Sequence, residues 1–224
     1  MNKIENEIGI SYSHQNYKIF FGNINFTEEK LIDITVQSPI QFMKQTHSDR
    51  IEEFDEFRDY NCDGLTSTKS NLAFAIRTAD CLPIILLDGE RFFAIHAGWR
   101  GLVNNILFSS QKFTSFSNET IAIIGPHIDT KNFEVGSEVC EEATSTLRKN
   151  KINFEENVLF LEHSSPQKKY LNLSYFAELQ LCALNINKSN IFQTKVDTYR
   201  DRSWHSYRRD GSNAGRNIHL VLKC

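Results

Sequence analysis

The chain has 224 residues, a length that still fits one α/β domain, and its hydrophobic content of 40% with 17 phenylalanines supplies ample core material. Lysine and arginine total 25 against 28 acidic residues, a net charge of −3 with no long block of either sign, which argues against nucleic acid as a partner. The longest apolar run, Leu82 to Leu87, is far short of the roughly 20 residues of a membrane helix, and the polar start Met1-Asn2-Lys3-Ile4-Glu5 lacks a signal-peptide core, so a cytoplasmic protein without membrane contact is expected.

In chain order, Tyr17 to Phe21 and Ile40 to Gln45 read as short strands, the second running into the polar turn His47-Ser48-Asp49. Leu72 to Ile76, Pro83 to Leu87 and Phe92 to His96 read as buried strands, the last two joined by the turn Asp88-Gly89-Glu90. After Gly101, the spacing of Leu102, Val103, Ile106 and Leu107 is helical. Ile121 to Ile124 reads as a strand stopped by Gly125-Pro126. A second helix is expected from Ser137 to Lys149. A third is capped by Asn172, with Tyr175, Phe176, Leu179 and Ala183 as its apolar face; strands follow near Ile191 to Val196 and Ile218 to Leu222. With only four prolines and no repeat or low-complexity linker, residues 1–224 are expected to form one α+β domain of mixed α/β type.

The five cysteines, Cys62, Cys81, Cys140, Cys182 and Cys224, form an odd set without close pairs, which fits a reducing compartment rather than a disulfide framework. Cys81 stands in Thr78-Ala79-Asp80-Cys81-Leu82-Pro83 between two apolar strands, and His96 ends the returning strand in Ile95-His96-Ala97-Gly98-Trp99-Arg100-Gly101. A strand, turn and strand cover that interval, so Cys81 and His96 are expected to meet at one end of a hairpin. Thiolate and imidazole are zinc ligands, and a catalytic zinc needs three protein ligands and an open position. His47, at the end of Lys44-Gln45-Thr46-His47, leads as third ligand, with His127 close behind as substrate contact or fourth ligand. The structural alternatives are a buried apolar cysteine and hydrogen-bonded histidines.

Gln45-Thr46-His47, Asp63-Gly64-Leu65-Thr66, Thr78-Ala79-Asp80-Cys81-Leu82-Pro83 and His96-Ala97-Gly98-Trp99-Arg100-Gly101 occur together and in order. In these motifs, and in Ile124-Gly125-Pro126-His127-Ile128, Phe133-Glu134-Val135-Gly136 and Ser206-Tyr207-Arg208-Arg209-Asp210-Gly211, the chain resembles the YfiH-like laccase-domain family. That family was formerly labelled multicopper polyphenol oxidase and is now described as purine nucleoside phosphorylase. The resemblance implies an α/β/β/α layered sandwich and a metal held by His47, Cys81 and His96. It also implies phosphorolysis of adenosine, inosine and methylthioadenosine, together with deamination of adenosine. Two departures stand out. Ser48 replaces the glycine that usually follows the first ligand histidine, and Tyr17 to Gly22 lies where the family has a glycine-rich Ser-Thr-Arg segment, so an arginine expected near the substrate is absent there.

For deamination a zinc-activated water would attack the purine, and Asp80 and Asp63 are candidates to move protons, each with the alternative of capping a turn or orienting a ligand. Phosphorolysis needs a phosphate site, for which Arg100 is the first candidate, with Arg77, Arg208 and Arg209 as further contacts. Trp99, Phe133 and Tyr207 are candidates to stack on a purine, or simply core. The rival readings are a cysteine hydrolase with Cys81 as nucleophile and His96 as base, a laccase-like copper oxidoreductase, and a zinc-stabilised interaction domain. Copper at a Cys-His site is expected to be adventitious, binding in vitro, and the protein to be a monomer.

Overall fold

A computed structural model describes residues 1–31 and 38–224. The chain runs β1 (Asn2–Asn6), β2 (Gly9–His14), β3 (Tyr17–Gly22), β4 (Ile40–Phe42), β5 (Ile51–Glu53), β6 (Gly64–Ser67), β7 (Leu72–Thr78), β8 (Leu82–Asp88) and β9 (Arg91–Ala97). Then come α1 (Trp99–Val103), α2 (Ile106–Ser109), β10 (Ile121–Ile124), β11 (Glu134–Gly136), α3 (Ser137–Lys149), α4 (Glu156–Leu159), β12 (Phe160–Glu162), β13 (Lys168–Leu171), α5 (Leu173–Ala183), β14 (Ile191–Gln193), α6 (Tyr207–Asp210) and β15 (Asn217–Lys223).

The strands form two six-stranded sheets, ordered β1-β2-β3-β15-β7-β4 and β14-β10-β8-β9-β6-β5, and a small sheet β11-β13-β12. Strand β8 shows why its sequence is apolar without interruption: side chains alternate between faces, and both faces are covered. Leu82, Ile84 and Leu86 pack with Leu102, Ile106, Ala143, Leu147 and Phe176 of the helices. Ile85 and Leu87 point the other way, into the layer between the sheets with Phe21, Phe74, Phe92 and Val221. The rings of Phe74 and Phe92 stack there at 4.8 Å. A mixed α/β fold with sheet on sheet and helices outside the second sheet is thus observed. Over the outer face of the first sheet, Phe26 and Leu31 cover Phe20, Ala75 and Leu220; of the expected second helical layer, the described residues contribute the 3-10 turn Glu28–Lys30.

The hairpin β8–β9 turns at Gly89, whose φ of 59° is open to glycine at no steric cost. Helix α3 spans the expected Ser137–Lys149, and the Asn172 side chain caps α5 by accepting from the Tyr175 amide at 3.0 Å. Three expectations are corrected. The helix foreseen through Leu102 to Leu107 is two helices, because Asn105 takes a left-handed φ of 64°. The buried face of α5 is Leu173, Phe176, Ala177, Gln180 and Leu181, with Ala183 exposed. Strands β4 and β14 stop at Phe42 and Gln193, short of Gln45 and Val196.

His219 of β15 is fully buried, with its Nε2 2.8 Å from Thr78 Oγ1 and its ring against Phe21. Burial, reinforced by the nearby charge of His96, pushes its pKa down to about 3. An unfolded-chain histidine titrates near pH 6.5, so between about 6.5 and 3 the unfolded state binds a proton that the folded state refuses. Stability therefore falls as pH drops through that window. In urea unfolding from pH 7 to 4, this group is expected to contribute a loss approaching about 1.4 kcal/mol per pH unit below its unfolded pKa. His219→Leu should remove about one proton from the measured slope; an unaltered slope would show that His219 is not the titrating group.

Candidate metal centre and active site

Sheet register brings the candidate ligands together. In the β8–β9 ladder Pro83 faces His96 and Leu82 faces Ala97, so Cys81, one residue before β8, arrives at the end of the hairpin where His96 and Gly98 stand. Strand β6 pairs with β9 on the other side, Gly64 opposite Ile95, and the His96 amide donates to the Asp63 carbonyl at 2.7 Å. The third candidate ligand comes from the loop after β4. His47 there adopts a left-handed φ of 60°, a conformation that costs a non-glycine residue about 1–2 kcal/mol. The Asp63 carboxylate holds it in place, accepting from the amides of Thr46, His47 and Ser48 at 3.1, 3.0 and 2.7 Å.

The donor atoms of His47, Cys81 and His96 lie within 4.8 Å of one another, and among the described residues no other group of three or more His, Cys, Asp or Glu side chains does so. Cys81 Sγ is 3.8 Å from His47 Nε2. Two donors about 2.3 and 2.1 Å from one tetrahedral zinc would stand about 3.6 Å apart, so the spacing fits such an ion. Asp63 Oδ1 is 2.7 Å from His96 Nδ1, which leaves His96 Nε2 for a metal. Electrostatics agree. Burial alone would raise the Cys81 thiol, but the charge of His96 and hydrogen bonds from both histidines outweigh it and bring the pKa down to about 6, favouring the thiolate. Burial alone would lower His96, yet the Cys81 thiolate and Asp63 raise it to about 9. Burial likewise opposes the Asp63 charge, and His96 and Ser48 reverse that, holding the carboxyl well below the usual carboxylate range. Two anions thus flank one imidazole, whose own positive charge balances the thiolate in the metal-free site. Gly98 makes the approach of the ligands feasible: a Cβ there would lie 3.0 Å from Cys81 Sγ and 3.0 Å from His47 Cδ2.

The trio opens onto a cavity of about 700 Å³, within the range of small-molecule sites. His47 is exposed on its rim, Cys81 half-buried, and His96 buried. Arg77, Arg100, Arg208 and Arg216 line this cavity, as do Trp99, Phe133 and Tyr207. Arg77 lies 4.0 Å over the Phe42 ring and is ion-paired with Glu28. Arg100 lies 4.5 Å over Trp99, and Arg208 lies 5.3 Å over Phe133. Among the described residues, Arg100, Arg208 and Arg216 have no ion-pair partner within 4.0 Å.

Other expected site residues take different positions. Asp63 is fully buried and off the cavity wall, its oxygens occupied by loop amides and His96. Asp80 does line the cavity, at a φ of 85°, but its oxygens accept from Thr198 Oγ1 at 2.7 Å and the Arg208 amide at 2.6 Å. Arg209 is turned away from the cavity: its guanidinium donates to the carbonyls of Thr198, Tyr199 and Trp204 and pairs with Asp210. His127 is buried off the cavity and outside the ligand trio, with Nδ1 2.8 Å from the Gly125 carbonyl. Arg216 escaped the sequence reading; its place in Ala214-Gly215-Arg216, just before β15, carries no chemical signal of its own.

The profile of the multi-copper polyphenol oxidoreductase laccase family matches residues 23–223. The chain belongs to this laccase family. It is 33% identical over 177 residues to a purine nucleoside phosphorylase of Campylobacter jejuni, covering 75% of this chain and 71% of that protein. It is 29% identical over 191 residues to adenosine deaminase RL5 of an unknown prokaryotic organism, covering 77% of this chain and 71% of that one. The fold is shared with hypothetical protein YfiH of Bacillus licheniformis, at a TM-score of 0.80 and 23% identity over 92% of this chain and 93% of that one. Among the described residues, this laccase-family chain gathers a single trio of metal-ligand side chains, and no helix is long and apolar enough to cross a membrane.

Because an added Cβ at position 98 would press on two ligands together, Gly98→Ala is expected to weaken zinc binding roughly tenfold with little change in the far-UV circular dichroism spectrum. Competition with a chromophoric chelator measures this, and wild-type affinity in the variant would count against the proposed ligand set.

Proposed function

We propose that the chain is a zinc-dependent purine nucleoside phosphorylase in which residues 1–224 act as one catalytic domain, with adenosine, inosine and methylthioadenosine as substrates and adenosine deamination as a second activity. One observation carries this reading: a Cys-His-His trio opens onto a cavity with arginines and aromatic rings on its walls. His47, Cys81 and His96 would hold the ion, and an exposed His47 at the cavity rim suits a site that admits substrate better than a closed structural zinc. When bound there, zinc supplies a Lewis-acid charge beside the substrate.

The remaining work falls to the chain's own groups. A phosphate dianion needs donors in paired, planar arrangement, which guanidinium groups offer. Arg100, Arg208 and Arg216 are the best suited, since among the described residues no carboxylate lies within 4.0 Å of them, and Arg77 is a further contact despite its Glu28 partner. Trp99, Phe133 and Tyr207 give flat surfaces for the purine, and the arginines over Trp99 and Phe133 stiffen two of those surfaces. Asp80 is the carboxylate on the cavity wall, and each of its oxygens already accepts a hydrogen bond. Phosphate, which arrives as an anion, needs no general base, whereas water does. That balance favours phosphorolysis as the main reaction. With this chemistry go a cytoplasmic location and a monomeric state.

A second reading has a specific observation in its favour. Cys81, His96 and Asp63 line up as nucleophile, base and orienting carboxylate, which is the arrangement of a cysteine hydrolase. Chelation separates the two readings.

With phosphate present, the purified protein is expected to release adenine or hypoxanthine from adenosine or inosine, followed by chromatography. The release should stop on chelation and return with zinc. Arg100→Ala is expected to raise the KM for phosphate about 10-fold to 100-fold, in keeping with loss of a charge-assisted hydrogen bond, while nucleoside KM changes less. Intact nucleosides with stoichiometric zinc would remove the phosphorylase reading, and turnover that survives chelation would favour the cysteine hydrolase.

A further inference from the structure

Ligands reach the metal trio from two distant segments, and one carboxylate touches both. Asp63 has no exposed surface. Its Oδ1 accepts from the His47 amide at 3.0 Å and lies 2.7 Å from His96 Nδ1. Its Oδ2 accepts from the amides of Thr46 and Ser48 at 3.1 and 2.7 Å and from Ser48 Oγ at 2.7 Å, with Thr46 Oγ1 a longer contact at 3.4 Å. An ionised carboxylate only accepts hydrogen bonds, so the facing Nδ1 of His96 must carry the hydrogen, and the lone pair of the neutral ring is then at Nε2. Three successive amides on the same carboxylate lock the loop in which His47 holds its left-handed backbone. Ser48 contributes twice, through its amide and through a hydroxyl that donates to Asp63 while accepting from the Arg50 amide at 3.3 Å.

We propose that Asp63 and Ser48 form a clamp that presets the two histidine ligands, so that metal affinity is governed by two side chains that touch neither the metal nor the substrate. The proposal rests on reading the trio as a metal site. Asp63 acts on His96 by fixing which nitrogen is free and on His47 by fixing its backbone; Ser48 tightens the clamp by giving Oδ2 a second short contact. Both are positioning residues. Outer partners of metal-binding histidines typically change affinity by about 10-fold to 100-fold when removed. Asp63→Asn keeps the shape but turns an NH₂ group toward amide and imidazole donors. That repels them and favours the His96 tautomer with hydrogen on Nε2, where it blocks ligation. Ser48→Ala removes the hydroxyl, and with it the 3.3 Å acceptor of the Arg50 amide, but leaves in place the three amides that bind Asp63.

The test uses the full-length metal-free protein, titrated with cobalt(II) while the thiolate charge-transfer and ligand-field absorption are recorded, and with zinc against a chromophoric chelator. Asp88→Asn is the control. Its carboxylate also accepts two short hydrogen bonds, from Thr114 and Thr120, but at the opposite end of the β8–β9 hairpin, so it reports loss of stability without loss of the clamp. Wild type is expected to bind one ion. Asp63→Asn should bind it about 10-fold to 100-fold more weakly with a shifted ligand-field spectrum, and Ser48→Ala about threefold to tenfold more weakly with an unchanged unfolding temperature of the metal-free form. Asp88→Asn should keep wild-type affinity and spectrum. If Asp63→Asn does not fold, Ser48→Ala alone decides. Folded variants with wild-type affinity and spectra overturn the clamp and leave the metal site standing; a wild-type protein that binds no ion overturns both.

Discussion

A single buried negative charge organises the site. Placing the Asp63 carboxylate where it has no contact with solvent would be strongly unfavourable unless donors surround it, and the donors that do so belong to the loop Thr46–Ser48 and to His96. The charge therefore dictates the path of a loop far away in sequence and the orientation of an imidazole on a neighbouring strand. It also explains how His47 can occupy a left-handed conformation: several hydrogen bonds over-determine the turn, so one unfavourable φ is tolerated.

The sheets do the rest by register. Cys81 and His96 are brought side by side because Leu82 pairs with Ala97 in the hairpin, and Asp63 stands beside His96 because Gly64 pairs with Ile95 on the other edge of β9. A slip of one residue would turn every one of these side chains to the opposite face. The alternation of β8 between the helical layer and the inter-sheet layer makes such a slip costly, since both faces of the strand are packed. Next to Cys81, Asp80 makes a different set of contacts. By accepting from Thr198 and from the Arg208 amide it ties the loop of Cys81 to the segment that carries Tyr207 and Arg208 into the cavity. Two carboxylates thus divide the duties, one holding the histidines of the trio and the other holding the cavity wall.

How much of this was legible in the sequence follows from the same physics. Strands β8 and β9 and helices α3 and α5 declared themselves through apolar runs, a Gly turn and an Asn cap. Strand β1 did not, because all five of its residues are exposed and no alternation marks it; the small sheet β11-β13-β12 is built from strands of three or four residues, too short for a period to show. Cys81 and His96 could be paired by counting along a hairpin, but the approach of His47 depends on a loop folded around Asp63, which spacing does not encode; ordered motifs carried that expectation instead. Choosing between Arg208 and Arg209 was beyond sequence reasoning, since the Ser206 cap, which accepts from the Arg209 amide, sets which of two identical neighbours turns inward. Gly98 was visible as a letter in a motif. Its reason, room for the side chains of Cys81 and His47, exists only in three dimensions.

The charges around the cavity also bear on the proposed chemistry. Four arginines and the histidines of the trio share a wall whose one carboxylate among the described residues, Asp80, is already engaged by Thr198 and Arg208. Such a wall attracts an anion and has little with which to strip a proton from water. Hydrolytic deamination would have to draw its proton transfers from Asp80, each of whose oxygens already accepts one hydrogen bond, or from the Cys-His trio, whose sulfur and imidazole nitrogens are the groups a metal would occupy. Phosphorolysis makes no such demand, because its nucleophile carries its own negative charge and the guanidinium groups need only orient it. With glycine, asparagine and isoleucine at positions 22 to 24, the segment after β3 brings no arginine of its own, and the cationic wall is assembled instead from β7, α1, α6 and the turn before β15. An anion site built from four separate elements depends on their relative placement, and that placement rests on the register of the strands and on the Asp80 tie.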